Sequence, residues 1–493
     1  MDIVFCILPK LDPQAPSVGP AVLKSHCVAA GFSCKVVDFN VELYNSSSPE
    51  VQDVWGINDR VFDNLKEWTT LYQQSFKPEF EQLADRLIAE NSKWIGISVF
   101  TYKSKFPAIE LIKLIKARNP TQQIVVGGAG IYSDLELLRN AGADHWVIGD
   151  AEESIVELLK GNMSFKGIDN MHPYQTEDLD TVLMPNYDDI DFSMYNNGGN
   201  QQVYITASRG CIRDCTFCDV ASMWPKFKYR NSSNIVKEII YIRQRYNVSS
   251  FYFTDSLVNG GVKIFRDMCH ALAQYRQETG DNDWSLGSQF ICRSSGQMPP
   301  SDYDLMAAAG FTWVAIGVES ASQSVRDHMR KGFTNEDMWY TFAQLHRVKI
   351  NLNLLLMAGY VTETKSDFDE TLALLRWLCT NGYMEYIPTV SVFDAAIFNY
   401  SPLYEIAKKI GVLDIDEENW YLPDNTNNFR VRVVRLLKAY KTLEQYGGQD
   451  YGQDKLYWLA ESLMNHCKSV YKEMTGTDLP DDILNYDESL EYY

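Results

Sequence analysis

Short apolar runs alternate with amphipathic stretches along most of this chain. Between residues 1 and 160, β-like runs fall at 3–8, 33–39, 94–100, 123–126 and 145–148. Helical patterns at 21–30, 106–118, 134–141 and 152–159 separate them, and a helix-rich insertion occupies 51–90. The runs are mostly apolar, as strands covered on both faces are, and helices between them suit crossover connections. This predicts an α/β fold beginning with a doubly wound, Rossmann-like parallel sheet. Such sheets bind ligands beyond the carboxyl ends of their strands.

Residues 161–202 read as a linker, rich in polar and turn residues such as Asp178, Asp180, Asp188, Asp189 and Asp191. A second alternation follows. Strand patterns at 203–207, 250–254, 284–292, 312–318, 351–357 and 386–393 are each succeeded by a helical pattern, the last at 402–410. Six such units predict a partial (β/α)6 barrel over 203–410. Barrel chemistry sits at the C-terminal ends of strands, and Asp255, Arg293, Glu319 and Gly359 fall at those ends. Residues 411–493 read as a mostly helical, aromatic-rich region, with helices at 429–443 and 455–474 and an acidic end at 481–493 that is expected to fray. Trp420 and Tyr421 are expected in its core.

Charge narrows the function classes. Forty-five Lys and Arg against 65 Asp and Glu leave a net charge of −20, and an acidic surface repels phosphate backbones, so nucleic acid is a poor default partner unless a local basic groove overrides the net charge. The N-terminus carries no basic n-region, and no apolar run reaches the ~18–20 residues of a membrane span. The ten cysteines show no disulfide-framework spacing. A soluble protein of the reducing cytoplasm is the expectation.

The strongest chemical signal is Cys211-Ile212-Arg213-Asp214-Cys215-Thr216-Phe217-Cys218, which follows the run 203–207 and the turn Ser208-Arg209-Gly210. Three thiols at C-x-x-x-C-x-x-C spacing can hold three corners of a [4Fe–4S] cluster, because such clusters are bound by cysteine thiolates. The fourth iron is then open for a ligand, as catalytic metal sites require. Zinc is the alternative, but it usually takes paired C-x-x-C motifs with a fourth ligand, and the other seven cysteines are isolated.

This loop resembles the cluster loop of the radical S-adenosylmethionine superfamily. Ala207-Ser208-Arg209-Gly210-Cys211 is similar to its entry, Ile316-Gly317-Val318-Glu319-Ser320 to its "iGiES" strand, and Met329-Arg330-Lys331-Gly332 to its "m.Kg" segment. Gly359-Tyr360-Val361-Thr362-Glu363-Thr364 resembles its "G.P.ET" turn, with Val361 in place of proline. The first third resembles the cobalamin-binding domain often fused ahead of this barrel, through Val36-Val37-Asp38, Ile95-Gly96-Ile97-Ser98, Val125-Val126-Gly127-Gly128 and Asp144 to Gly149-Asp150-Ala151-Glu152. It departs from the D-x-H-x-x-G motif whose histidine ligates cobalt: none of His26, His145 and His172 fits.

The resemblance implies that Cys211, Cys215 and Cys218 hold the cluster and that Phe217 packs beside it or the adenine. It implies Glu319 toward the ribose hydroxyls of S-adenosylmethionine, Arg293 toward its carboxylate, and Asp255 and Gly359 at the same mouth. The alternative for these charged residues is an ion-pair network at the barrel rim. Ser98, Gly127 and Gly128 would approach cobalamin, bound without a protein histidine, or else form an ordinary βα turn. The implied activity is cleavage of S-adenosylmethionine to a 5′-deoxyadenosyl radical, with cobalamin-dependent methyl transfer to an unactivated carbon of an unidentified organic substrate. The electrons would come from an external donor such as flavodoxin or ferredoxin. A radical cyclase, oxidase or rearrangement enzyme is the second reading, and a non-catalytic cluster- or cobalamin-binding sensor the third.

Overall fold

The structure is a computed structural model and describes residues 1–56, 59–132, 134–195, 201–415 and 420–447, together with Lys472. The chain divides into two units, Met1–Ala207 with Lys228–Tyr252, and Ser208–Phe227 with Phe253–Tyr493.

In the first unit, five short strands form one sheet: β1 (Ile3–Ile7), β2 (Cys34–Asp38), β3 (Trp94–Ser98), β4 (Gln123–Gly127) and β5 (His145–Val147). Their order is β2-β1-β3-β4-β5, and every adjacent pair is parallel. The doubly wound sheet expected from the alternation of apolar runs and helical patterns is present. One core cluster gathers Ile3, Phe5, Ile7, Trp94 and Val125 with Ile155 and Leu158 of the helix Glu152–Lys160. The register aligns Asp38, Ile7, Ser98, Gly127 and Val147 in a row along the C-terminal edge. In this strand order the chain reverses direction between β1 and β3, which is where doubly wound sheets open a ligand crevice.

Two features differ from the sequence expectation. The second strand stops at Asp38, because its carboxylate accepts a hydrogen bond from Val41 N at 3.2 Å and caps a helix, Phe39–Ser46. Side-chain capping of this kind satisfies an otherwise orphaned N–H. The 161–202 stretch is woven into the first unit: Asp189 accepts from Val36 N at 2.8 Å on the outer strand and pairs with Lys24 at 2.6 Å. Tyr195 donates to Asp38 Oδ2 at 2.6 Å. Residues 196–200 lie outside the described residues.

The second sheet has six strands, neighbours in chain order: β6 (Gln202–Ile205), β7 (Ser250–Phe253), β8 (Ser285–Phe290), β9 (Phe311–Glu319), β10 (Asn351–Ala358) and β11 (Thr389–Asp394). Pairs β8–β9, β9–β10 and β10–β11 are parallel. Strand β10 alternates buried Leu352, Leu354, Leu356 and Ala358 with half-buried Asn351, Asn353, Leu355 and Met357. One face packs into the core and the other stays partly open, as in a barrel that does not close. The helices Asn335–Arg347 and Lys365–Thr380 begin with capping boxes, Thr334 with Asp337 and Thr364 with Asp367, which satisfy two donors each. Strand β11 starts at Thr389 instead of the expected 386. Residues Tyr383–Tyr386 form a 3-10 turn, and Pro388 lacks the N–H a ladder would use.

Trp420 is buried, as expected, with Nε1 donating to Ala395 O at 2.8 Å, and the helix Phe429–Tyr446 covers the 429–443 expectation. The expected helix at 455–474, Cys467 and the acidic end at 481–493 lie outside the described residues.

Candidate functional site

The three-cysteine loop is held from several sides. Gly210 opens it with φ +81°, and a Cβ there would lie 2.7 Å from Lys226 O, so only glycine fits. Thr216, between Cys215 and Phe217, is the anchor. Its N–H donates to Met329 O at 3.0 Å, and its carbonyl accepts from Leu403 N at 2.6 Å. Its hydroxyl meets the buried Tyr360 OH at 2.6 Å, which is 3.0 Å from His328 Nδ1. Within the loop, Cys218 N donates to Cys215 O at 3.2 Å and Arg213 N to Cys211 Sγ at 3.4 Å.

All three cysteines are free and half-buried. Burial pushes each thiol above its ordinary value, Cys218 to about 11 despite the opposing Val220 N–H. Metal binding at such thiols must displace their protons. Among the described residues, no three His, Cys, Asp or Glu side chains converge on a single ion position. Two buried guanidinium atoms, Nε of Arg213 and Nε of Arg293, have no hydrogen-bond partner among the described residues. Donor groups of this kind are what an anionic ligand would satisfy.

The strand ends of the second sheet carry the other expected residues. Strand β9 ends in a bulge between Gly317 and Glu319, and Glu319 has φ +67°. Its carboxylate therefore folds back over Gly317, where a Cβ would lie 2.3 Å from Glu319 Oε1 and 3.2 Å from Lys331 Nζ. Lys331 Nζ is 3.0 Å from Glu319 Oε1 and 5.5 Å from the centre of the Phe217 ring. Burial pulls the Lys331 ammonium down, but Glu319 and then Cys215 pull it up, leaving it above the usual lysine value. Arg293 Nη2 donates to Asn259 O and Gly260 O, both at 2.9 Å. Burial, and next the nearby Arg213, lower its pKa. Ser208 Oγ donates to the buried Asp255. Gly359 has φ +78°, with a Cβ position 2.3 Å from Arg432 Cγ, and its N–H donates to Glu363 Oε2 at 2.5 Å. Phe217 packs against a core cluster containing Tyr360 and Trp420.

The structure thus brings Cys211, Cys215, Cys218, Phe217 and Glu319 around one loop, with Lys331 as the link. Sequence reasoning quoted Lys331 only inside a motif and gave it no role; it left Thr216, Tyr360 and His328 without one too. A lysine directly preceding a glycine was the available signal.

In the first sheet, Ser98 and Gly127 are register partners on the C-terminal edge. Gly128 has φ +112°, and a Cβ there would lie 2.5 Å from Val99 O. The glycine is required because the backbone after β3 passes directly over the turn. Gly127 meets only ordinary contact, 3.5 Å to Val147 O. Phe100 and Tyr102, just beyond β3, remain 53% and 43% exposed. His26 Nε2 accepts from Leu183 N at 3.0 Å, and His145 Nδ1 is 2.7 Å from Asp169 Oδ2 at the opposite end of the strands.

The family model described as the Radical SAM superfamily matches residues 205–375. The chain is 22% identical over 379 residues to an anaerobic magnesium-protoporphyrin IX monomethyl ester cyclase of Synechocystis sp., covering 71% of this chain and 72% of the relative. It spans 58% to 72% of the lengths of the first three curated relatives. Its fold is similar to TsrM, a radical S-adenosylmethionine methyltransferase from Kitasatospora setae solved with cobalamin and a [4Fe–4S] cluster. That likeness has a TM-score of 0.61 at 16% identity, over 85% of this chain and 80% of that one. It is also similar to OxsB, a cobalamin-dependent S-adenosylmethionine radical enzyme solved with aqua-cobalamin, with a TM-score of 0.67 at 15% identity, over 97% of this chain and 74% of that one. Family match, cysteine loop and sheet architecture point the same way: residues 205–375 match the Radical SAM superfamily, and the fold as a whole is similar to that of radical S-adenosylmethionine enzymes solved with cobalamin.

Proposed function

We propose that this protein is an enzyme that binds a [4Fe–4S] cluster through Cys211, Cys215 and Cys218, cleaves S-adenosylmethionine reductively, and transfers a methyl group to an unactivated carbon with cobalamin. The domain reading that goes with it is a cobalamin-binding-like domain over 1–160 with the 161–202 stretch packed onto it, a partial barrel over 203–410 and a helical region over 411–493. The observation that carries the proposal is the pinned three-thiol loop with the Glu319–Lys331 pair beside it. When bound, the cluster supplies the electron that splits S-adenosylmethionine into methionine and a 5′-deoxyadenosyl radical, and cobalamin supplies the methyl group.

The chain's own residues bind and orient. Thr216 fixes the loop so that the three thiols are presented together. Glu319 offers a carboxylate to the ribose hydroxyls, and Arg293, held by two carbonyls, offers its free guanidinium edge to the methionine carboxylate. Asp255 and Gly359 flank the same mouth at their strand ends, and Phe217 gives the loop an apolar wall. For cobalamin, Ser98 and the Gly127-Gly128 turn lie at the C-terminal edge of the first sheet, where large apolar side chains remain exposed. Exposed apolar groups at a ligand-binding edge suit a broad macrocycle. His26 and His145 already have partners, which supports cobalt without a protein histidine. An external one-electron donor such as flavodoxin or ferredoxin and an organic substrate complete the reaction. Among the described residues, no helix is long and apolar enough to cross a membrane.

Anaerobic reconstitution tests this reading. About four irons and four sulfides per chain are expected, together with a bound corrin whose Co(II) form lacks histidine-nitrogen coupling by electron paramagnetic resonance. Full iron content in a Cys211→Ala, Cys215→Ala, Cys218→Ala variant would refute the ligand set. The length of the match to the cyclase favours a second reading, a radical cyclase. A methylated product labelled from S-adenosylmethionine separates the two, and a protein that loads its cluster yet never cleaves S-adenosylmethionine would be a sensor.

A further inference from the structure

We propose that Lys331 is a positioning residue: it holds the Glu319 carboxylate in place and lends a fixed positive charge to the cluster loop. The inference rests on the three cysteines holding the cluster. Its geometry is independent of that reading. Lys331 and Glu319 pair at 3.0 Å with side chains only 13% exposed each. A lysine on an open surface would keep its ammonium in water, whereas this one lies 5.5 Å from the centre of Phe217, the ring between Thr216 and Cys218.

The backbone around Lys331 is shaped to put it there. Arg330 and Gly332 flank it with φ +59° and +65°, a conformation unfavourable for arginine. The segment is fastened to the cluster loop by Thr216 N, which donates to Met329 O at 3.0 Å. The Arg213 guanidinium lies over Gly332, where a Cβ would come within 2.2 Å of Nη1. On the other side, Glu319 adopts φ +67° and folds over Gly317 to meet the ammonium. Two uncommon backbone conformations thus converge on one ion pair. A partly buried pair adds little stability by itself, so stability alone is a poor account of this arrangement.

The electrostatic consequence has a sign. Reduction adds one negative charge to the cluster, and a fixed cation nearby favours the reduced form. Glu319 acts in the opposite sense. Lys331 should therefore raise the reduction potential, Glu319 should lower it, and loss of Lys331 should free Glu319 from its ligand-facing position.

The test uses the full reconstituted chain. Iron and sulfide content come first, then the midpoint potential by a redox titration followed by electron paramagnetic resonance, then S-adenosylmethionine affinity by calorimetry. With Lys331→Met, the potential moves negative and affinity falls roughly tenfold. With Lys331→Arg, which keeps the charge, the potential returns toward wild type. With Glu319→Gln, the potential moves positive. A fully loaded Lys331→Met protein with unchanged potential and affinity would overturn the inference. If Lys331→Met does not take up iron, Glu319→Gln decides: an unchanged or negative shift overturns it. A wild-type chain that binds no iron would instead refute the cluster reading beneath it.

Discussion

The C-terminal edges of the two sheets are built differently. On the second sheet the edge carries Asp255, Arg293 and Glu319, each fixed by a named partner, and Glu319 sits in a backbone conformation rarely adopted by side chains larger than glycine. On the first sheet the edge carries Ile7, Ser98, Gly127 and Val147, with Asp38 already bonded to Val41 and Tyr195. One edge is made of charge and hydrogen-bond geometry, the other of small and apolar groups around a glycine turn. A ligand at the first would be held by directed polar contacts, and a ligand at the second by shape. Damage to a single charged side chain should therefore be felt sharply at one edge and hardly at the other.

Removing all three loop thiols should have the largest effect. The Cys211→Ala, Cys215→Ala, Cys218→Ala chain is expected to lose its iron, sulfide and brown absorbance entirely, while corrin binding persists. Simultaneous loss of both would break the separation of the two edges. Gly317→Ala comes next. The added methyl would sit 2.3 Å from Glu319 Oε1 and should push the carboxylate off its position. S-adenosylmethionine affinity should fall at least tenfold, the equivalent of about 1.4 kcal/mol, with cluster content intact.

At the other edge, Gly128→Ala should act through stability. A non-glycine residue at φ +112°, with its Cβ 2.5 Å from Val99 O, should cost at least ~1–3 kcal/mol. Thermal melting should report that loss, and corrin affinity should fall with it. A variant that melts like wild type would remove the shape argument.

An effect confined to a narrow pH window concerns Asp38. Burial raises its carboxyl to about 6, against the lowering bonds from Tyr195 and Val41. The folded chain thus binds this proton more tightly than the unfolded one. Its contribution is greatest below the unfolded value near 4 and is lost as pH rises through 6. Asp38→Asn should flatten that part of the stability profile between about pH 4 and 6, by up to ~2–3 kcal/mol. An unchanged profile in thermal melts would show that Asp38 titrates normally.

The fold was legible because its strands are short, mostly apolar or alternating, and separated by helical patterns, so β1, β3, β4 and β8 to β10 announced themselves within a few residues. Boundaries failed where a local bond outweighed pattern. Asp38 ends a strand by capping a helix, and Pro388 delays another. The three cysteines stand out by spacing alone. The Glu319–Lys331 pair was not legible, because the partners are twelve positions apart on different elements. Only the bulge in β9 and the reversal around Arg330 and Gly332 bring them together. The tie from Thr216 to Tyr360 was hidden for the same reason: it joins residues separated by 144 positions.

The central claim is best tested by reductive cleavage itself. Anaerobically reconstituted wild-type protein, given dithionite and S-adenosylmethionine, is predicted to release 5′-deoxyadenosine and methionine in equal amounts, and Cys218→Ala to release neither. A wild-type chain that carries four irons and four sulfides and still forms no 5′-deoxyadenosine would contradict the account.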